Sequence, residues 1–168
     1  MKSACYIDLD GVLADWLKAF NDANICSISE FNKLSKLEKF AIKEELFTYD
    51  FFRNMRLINA GKKLFEKCVN DFTYDGETHV YILSAIGDSR NITDIAKAKT
   101  EWVREHICKD VRILFVDKVQ NKYKAIQTKD GTDYVNHILY DDRAQAIKSW
   151  DEKGGNMIGI LTDHNYVD

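Results

Sequence analysis

With 168 residues, 45% of them hydrophobic and 12% aromatic, the chain can bury one sizeable core with a small appended subdomain. A formal charge of −3 gives no basic excess of the kind that grips a long phosphodiester backbone, so a small substrate suits the chain better than a nucleic acid. Cys5, Cys26, Cys68 and Cys108 show no CxxC spacing and read as reduced residues. No apolar run nears the roughly 18 residues that span a bilayer, and the first residues lack a signal-peptide core, so a cytoplasmic protein without membrane contact is expected.

Residues 4–9 form an apolar, β-prone run, which predicts a strand with Asp8 and Asp10 at its carboxyl end. Val12, Leu13, Trp16, Leu17 and Phe20 then recur at helical spacing. Two capping-box patterns, Ser27 with Glu30 and Ser35 with Glu38, predict two short helices inserted after the first strand, within a small helical cap over about 18–58. An aromatic connection, TYDFFRNM, follows. Asn59 is expected to cap a helix whose inner face is Ala60, Leu64, Phe65, Cys68 and Val69. After an Asp75-Gly76 turn the chain alternates strand and helix: strand 79–85, helix 91–107 capped by Asn91, strand 111–116, helix 121–129, strand 137–142, helix 143–153, and strand 156–161 after Gly154-Gly155. The expected class is α/β: one Rossmann-like domain with a parallel sheet of about five strands and helices on both faces.

In such sheets ligands bind outside the carboxyl ends of the strands. Asp8 and Asp10, Ser84, Asp117 with Lys118, and the Asp141-Asp142 pair all fall at strand ends, so one rim collects the polar residues. Carboxylates brought together there would repel one another without a cation among them, and oxygen ligands without His or Cys select a hard ion, Mg²⁺ being the default beside phosphate. Asp8, Asp10, Asp141 and Asp142 are the expected metal set, with Asp10 contributing its main-chain carbonyl. Asp8 is read as the nucleophile on phosphorus, and Asp10 as the general acid and base. Gly11 allows a tight turn, while Ser84 and the Ala85 N–H hold phosphate oxygens.

A lysine should offset the charge of nucleophile and phosphate. Lys118 and Lys122, just after the third strand, are read as equal candidates, with Lys124 behind them. Lys99 lies on the apolar stripe of its helix beside Ile95, Trp102 and Val103, yet about 12 Å from the helix start at 1.5 Å per residue. It is therefore read as snorkelling away from the rim. Trp16, Phe20, Phe47, Phe51 and Phe52 fit a cap core and a base-stacking platform equally, and Trp16, Phe51 and Phe52 are carried as substrate-binding candidates. Arg143 is read as a structural partner of the carboxylates, Arg53 as facing water, and His164 as incidental. Asp88 and Arg90 fit either the phosphate site or an ordinary loop leading to Asn91.

The segments DLDGVLADW, ILSA, the lysine-bearing stretch after the third strand, and YDDR resemble the four ordered motifs of the haloacid dehalogenase-like (HAD) phosphatases. DGVLADW, FFRNMRLINAGKKLFEK and GILTDHNYVD further resemble the 5′(3′)-deoxyribonucleotidase branch, which carries a small helical cap after its first motif. That resemblance implies Mg²⁺-dependent removal of phosphate from nucleoside monophosphates, with cap aromatics stacking on the base. Ala85-Ile86-Gly87 departs from the usual residues after the second motif, and the stretch between Lys118 and Asp141 is longer than usual. WVREHI and YDDRAQAIKSW also resemble the phosphatase domain of phage-type polynucleotide kinase, which implies a 3′-phosphatase acting on nucleic-acid ends. A nucleotide-binding module without turnover is the rival from another class; a general acid would be of no use to it. Oligomeric state, a homodimer included, is left open.

Overall fold

Five β-prone runs pair side by side in the computed structural model, which describes residues 1–128 and 133–163. In chain order the elements are β1 (Ala4–Ile7), α1 (Trp16–Asp22), α2 (Ile28–Lys33), α3 (Lys36–Leu46), α4 (Tyr49–Arg53), α5 (Asn59–Asp71), β2 (Thr73–Tyr74), β3 (Glu77–Thr78), β4 (Val80–Ala85), α6 (Ile92–His106), β5 (Arg112–Val116), a 3₁₀ helix (Val119–Ala125), β6 (His137–Asp141), α7 (Ala144–Asp151) and β7 (Met157–Leu161). The main sheet runs β5-β4-β1-β6-β7 and every pairing in it is parallel, as expected of an α/β fold. β2 and β3 form a separate hairpin whose Asp75-Gly76 turn has positive φ at both residues, the geometry that such a dipeptide favours.

Side-chain alternation assigns the two faces. Cys5, Ile7, Val80 and Ile82 point into one core with Phe65 and Cys68 of α5 and Ile95, Ala98 and Trp102 of α6. Ala4, Tyr6, Tyr81, Leu83 and Leu139 point into the other with Trp150 of α7, flanked by Tyr123 and Ala125 of the 3₁₀ helix. The chain moves outward from β1 through β4 to β5, then crosses back to β6 and β7. The direction of winding therefore reverses between β1 and β6, and in open parallel sheets ligands bind outside the carboxyl ends at such a point.

Both predicted capping boxes form, with Ser27 and Ser35 accepting from the N–H groups of Glu30 and Glu38 and the glutamates reaching back. Several other details differ from the sequence reading. Asn59 is the first helical residue of α5, behind Ile58 as N-cap, and Ala60 is exposed while Gly61 faces inward. Gly61 is required there because a Cβ would lie 2.0 Å from the Val12 carbonyl oxygen, so α5 presses directly on the backbone that follows β1. The TYDFFRNM stretch is no simple connection: Thr48 caps α4, accepting from the Phe51 N–H. The helix expected over 121–129 is the shorter 3₁₀ helix, and Lys129 lies outside the described residues, as does His164.

Helices α1 to α4 leave and rejoin the sheet domain through a narrow neck. Asp15 N–H donates to the Arg56 carbonyl and the Arg56 guanidinium to the Asp15 carboxylate, both at 2.8 Å, and Ile58 N–H donates to Leu13 O at 2.8 Å. Helix α4 lies against α6, where the Tyr49 hydroxyl donates to Glu101 and Arg53 pairs with Glu105. Arg53 serves this contact while its side chain stays partly exposed to water. No helix among the described residues is long and apolar enough to cross a membrane.

Gly61→Ala should destabilise the protein by about 2–3 kcal/mol through overpacking against Val12. Urea unfolding measures this, and an unchanged midpoint would show that the contact relaxes without cost.

Candidate active site

Strand β1 is buried at every position and ends one residue before Asp8, whose N–H still pairs with Tyr140 O at 2.9 Å. Beyond it the backbone closes a tight loop in which Leu9 O accepts from Val12, Leu13 and Ala14. Gly11 sits in this loop at φ +85°, and a Cβ there would lie 2.2 Å from Asp142 Oδ2. Glycine is needed twice over: for the left-handed backbone, and to let the carboxylate of Asp142 come up against the loop.

Asp8, Asp141 and Asp142 converge, each offering an oxygen within 4.8 Å of the others. Lys122, fully buried, reaches them from the 3₁₀ helix and donates to Asp8 Oδ1 at 2.5 Å and to Asp141 Oδ2 at 2.6 Å. Asp141 Oδ1 accepts from the Arg143 N–H at 2.9 Å, so Arg143 serves the acids through its main chain while its side chain is exposed. Burial and the Asp141 charge raise the Asp8 carboxyl well above the ordinary range, with Lys122 opposing. Burial works against the Lys122 ammonium, but Asp8 and Asp141 outweigh it and hold the group charged.

Asp10 turns to the other face. Its Oδ2 accepts from Lys99 at 2.7 Å, and the same ammonium donates to Ser84 Oγ and the Ala85 carbonyl, both at 3.0 Å. The reading of Lys99 as snorkelling away from the rim is therefore wrong. Helix α6 begins just after the end of β4, and helical side chains tilt toward the helix N-terminus, so the flexible lysine stem brings Nζ back to the rim. The signal was present in the sequence as a lysine on an apolar stripe. Lys118 shows the opposite error: it is exposed at the N-cap of the 3₁₀ helix and donates only its N–H to the Asp117 carboxylate among the described contacts. Asp117 and Lys124 are likewise exposed, outside the cluster.

The aromatic candidates divide by burial. Phe52 is buried, with the Lys99 ammonium 4.7 Å from its ring centroid, so it packs the site from below and offers no face to a substrate. Phe20 is buried against Phe31. Trp16, Phe47 and Phe51 are half-buried and in mutual ring contact. Arg90 pairs with Glu44 of α3, and the Asn91 side chain donates to the Glu44 and Phe47 carbonyls, so the loop after β4 fastens to the helical insertion instead of capping α6 through its side chain.

A hard divalent ion fits this donor set. The ligand atoms are all carboxylate oxygens, the four carboxylates of the rim share only two lysine ammonium groups, Lys99 and Lys122, and the buried Asp10 Oδ1 has no hydrogen-bond partner among the described residues. Asp8, Asp141 and Asp142 are the side chains placed to hold it. The Asp10 carboxylate, turned to Lys99, is not one of the three, which leaves its main-chain carbonyl as the donor that the sequence reading assigned.

No family model and no curated protein matches the sequence. Among solved structures the chain is similar to a hydrolase from Streptococcus pneumoniae TIGR4, at 15% identity and TM-score 0.42 over 96% of this chain and 94% of that one. It is also similar to a hydrolase from Pseudomonas syringae, at 12% identity and TM-score 0.48 over 88% and 79% of the two chains. A third likeness is to the HAD domain of the effector protein Lem4 from Legionella pneumophila, at 17% identity and TM-score 0.44 over 96% and 85%. At these values the likeness carries no argument about chemistry, which has to come from the side chains of the rim.

In the metal-free protein the raised pKa of Asp8 favours its protonated form, a contribution to stability present at low pH and lost as pH rises through the folded-state value. Mg²⁺ should reverse this at neutral pH, adding about 2.7 kcal/mol at a hundred times its dissociation constant. Thermal unfolding should show the gain, and acidification should remove it at a pH above the ordinary carboxylate range. An equal gain in Asp141→Asn would place the ion elsewhere.

Proposed function

We propose that the protein is a Mg²⁺-dependent phosphomonoesterase that acts on nucleoside monophosphates through an aspartyl-phosphate. The observation that carries the reading is the pairing of buried Lys122 with Asp8 and Asp141 at the point where the sheet changes its direction of winding. A buried carboxylate with one oxygen held by an ammonium has its other oxygen oriented for attack on phosphorus. Mg²⁺ held by Asp8, Asp141 and Asp142 would neutralise the phosphoryl charge.

Asp8 Oδ2 forms a bond to phosphorus while the ester P–O bond breaks and Asp10 Oδ1 delivers its proton to the departing oxygen. Asp10 then takes a proton from water as the hydroxyl attacks phosphorus, which frees Asp8 and yields inorganic phosphate. Ser84 and the Ala85 N–H would hold phosphoryl oxygens through this sequence. The half-buried rings of Trp16, Phe47 and Phe51 support a nucleotide as the leaving portion, since a base can stack on them, and the helical insertion would serve as the cap that favours small substrates.

Phosphate release from deoxynucleoside monophosphates and p-nitrophenyl phosphate should require Mg²⁺ and fall to background in Asp8→Asn. Lys122→Ala should lose several orders of magnitude in kcat, with folding verified by circular dichroism, while Lys118→Ala stays near wild type. Turnover of 3′-phosphorylated oligonucleotides alone would replace mononucleotides with nucleic-acid ends, and nucleotide binding without release would leave a binding module.

A further inference from the structure

Lys99 has no place in the steps above, yet it is a fully buried cation with every donor engaged. Its three N–H groups go to Asp10 Oδ2, Ser84 Oγ and the Ala85 carbonyl, and its charge lies over the Phe52 ring. An ammonium only donates, so the chemistry of its partners follows. Ser84 Oγ is the acceptor in this contact, which leaves its own hydroxyl proton to be donated to another acceptor. Asp10 has one oxygen occupied, and the other, Oδ1, is buried without a hydrogen-bond partner among the described residues. One lysine therefore joins the loop after β1 to the end of β4 and divides the work between them.

We propose that Lys99 is a positioning residue. It selects Asp10 Oδ1 as the oxygen that exchanges a proton with the leaving group, and it keeps Ser84 as a donor to the phosphoryl oxygen. The assignment rests on the phosphatase reading above. In it the proton on Asp10 Oδ1 passes to the leaving oxygen as the ester P–O bond breaks and the Asp8–phosphorus bond forms. The benefit falls on substrates whose leaving oxygen needs that proton. Such selectivity separates positioning from mere packing, because a loosened site slows good and poor leaving groups alike.

The test compares p-nitrophenyl phosphate with phenyl phosphate, which has nearly the same shape and a much poorer leaving group, in the full chain with Mg²⁺. Lys99→Met should lower kcat on phenyl phosphate about tenfold or more beyond its effect on p-nitrophenyl phosphate, with KM little changed. Asp10→Asn should show the same bias, and adding Lys99→Met to it should increase the bias no further. Should the methionine variant fail to fold, Lys99→Gln is measured by the same ratio. Equal losses on both substrates would overturn the positioning role and leave the phosphatase reading intact. A wild-type protein that releases phosphate from neither substrate would remove both.

Discussion

Four carboxylates can crowd one sheet rim only because two ammonium groups are buried among them. Lys122 comes from the layer on one face of the sheet and pairs Asp8 with Asp141; Lys99 comes from the other and pairs Asp10 with Ser84. Each lysine engages one oxygen of its aspartate at the end of β1 or in the loop after it, Asp8 Oδ1 for Lys122 and Asp10 Oδ2 for Lys99. Removing a lysine would strand buried negative charge, which costs far more than the pair contributes net. The carboxylates remaining in excess invite a divalent cation, so local electrostatics tie the fold and the chemistry to the same few atoms.

Strand order decides where this happens. Asp8 follows β1, Asp141 ends β6, and these two strands are neighbours although more than a hundred residues separate them in sequence. β1 is the central strand, and its short run of buried apolar residues leaves no freedom in where its carboxyl end emerges. Gly11 and Gly61 then let two backbone-level approaches occur that any side chain would block: Asp142 against the loop, and α5 against Val12.

The helical insertion is held at three places: the Asp15–Arg56 neck, the contacts of Tyr49 and Arg53 with α6, and the Glu44, Arg90 and Asn91 group at the loop after β4. Two of these elements also carry the site. Helix α6 supplies Lys99 and receives Tyr49 and Arg53; the loop after β4 follows Ser84 and fastens to α3. Motion of the insertion would therefore be felt at the carboxyl end of β4, where Ser84 and Ala85 meet Lys99.

Periodicity, capping boxes and turn dipeptides are local, and they located the sheet strands, the two capped helices and the ends at which acids cluster. Asp8, Ser84, Asp141 and Asp142 were legible because a strand end is a local feature. Which lysine reaches the rim was not. Lys122 meets Asp8 across 114 residues and Lys99 meets Asp10 across 89, so both depend on how helices lie over the sheet and which way their side chains lean. The same holds for Phe52, apolar like its neighbours in sequence but buried under Lys99 while Phe51 stays half open. Sequence alone determined that acids gather at the carboxyl edge of a parallel sheet; tertiary structure decided which cations sit among them, because reach and burial are properties of packed elements and not of spacing along the chain.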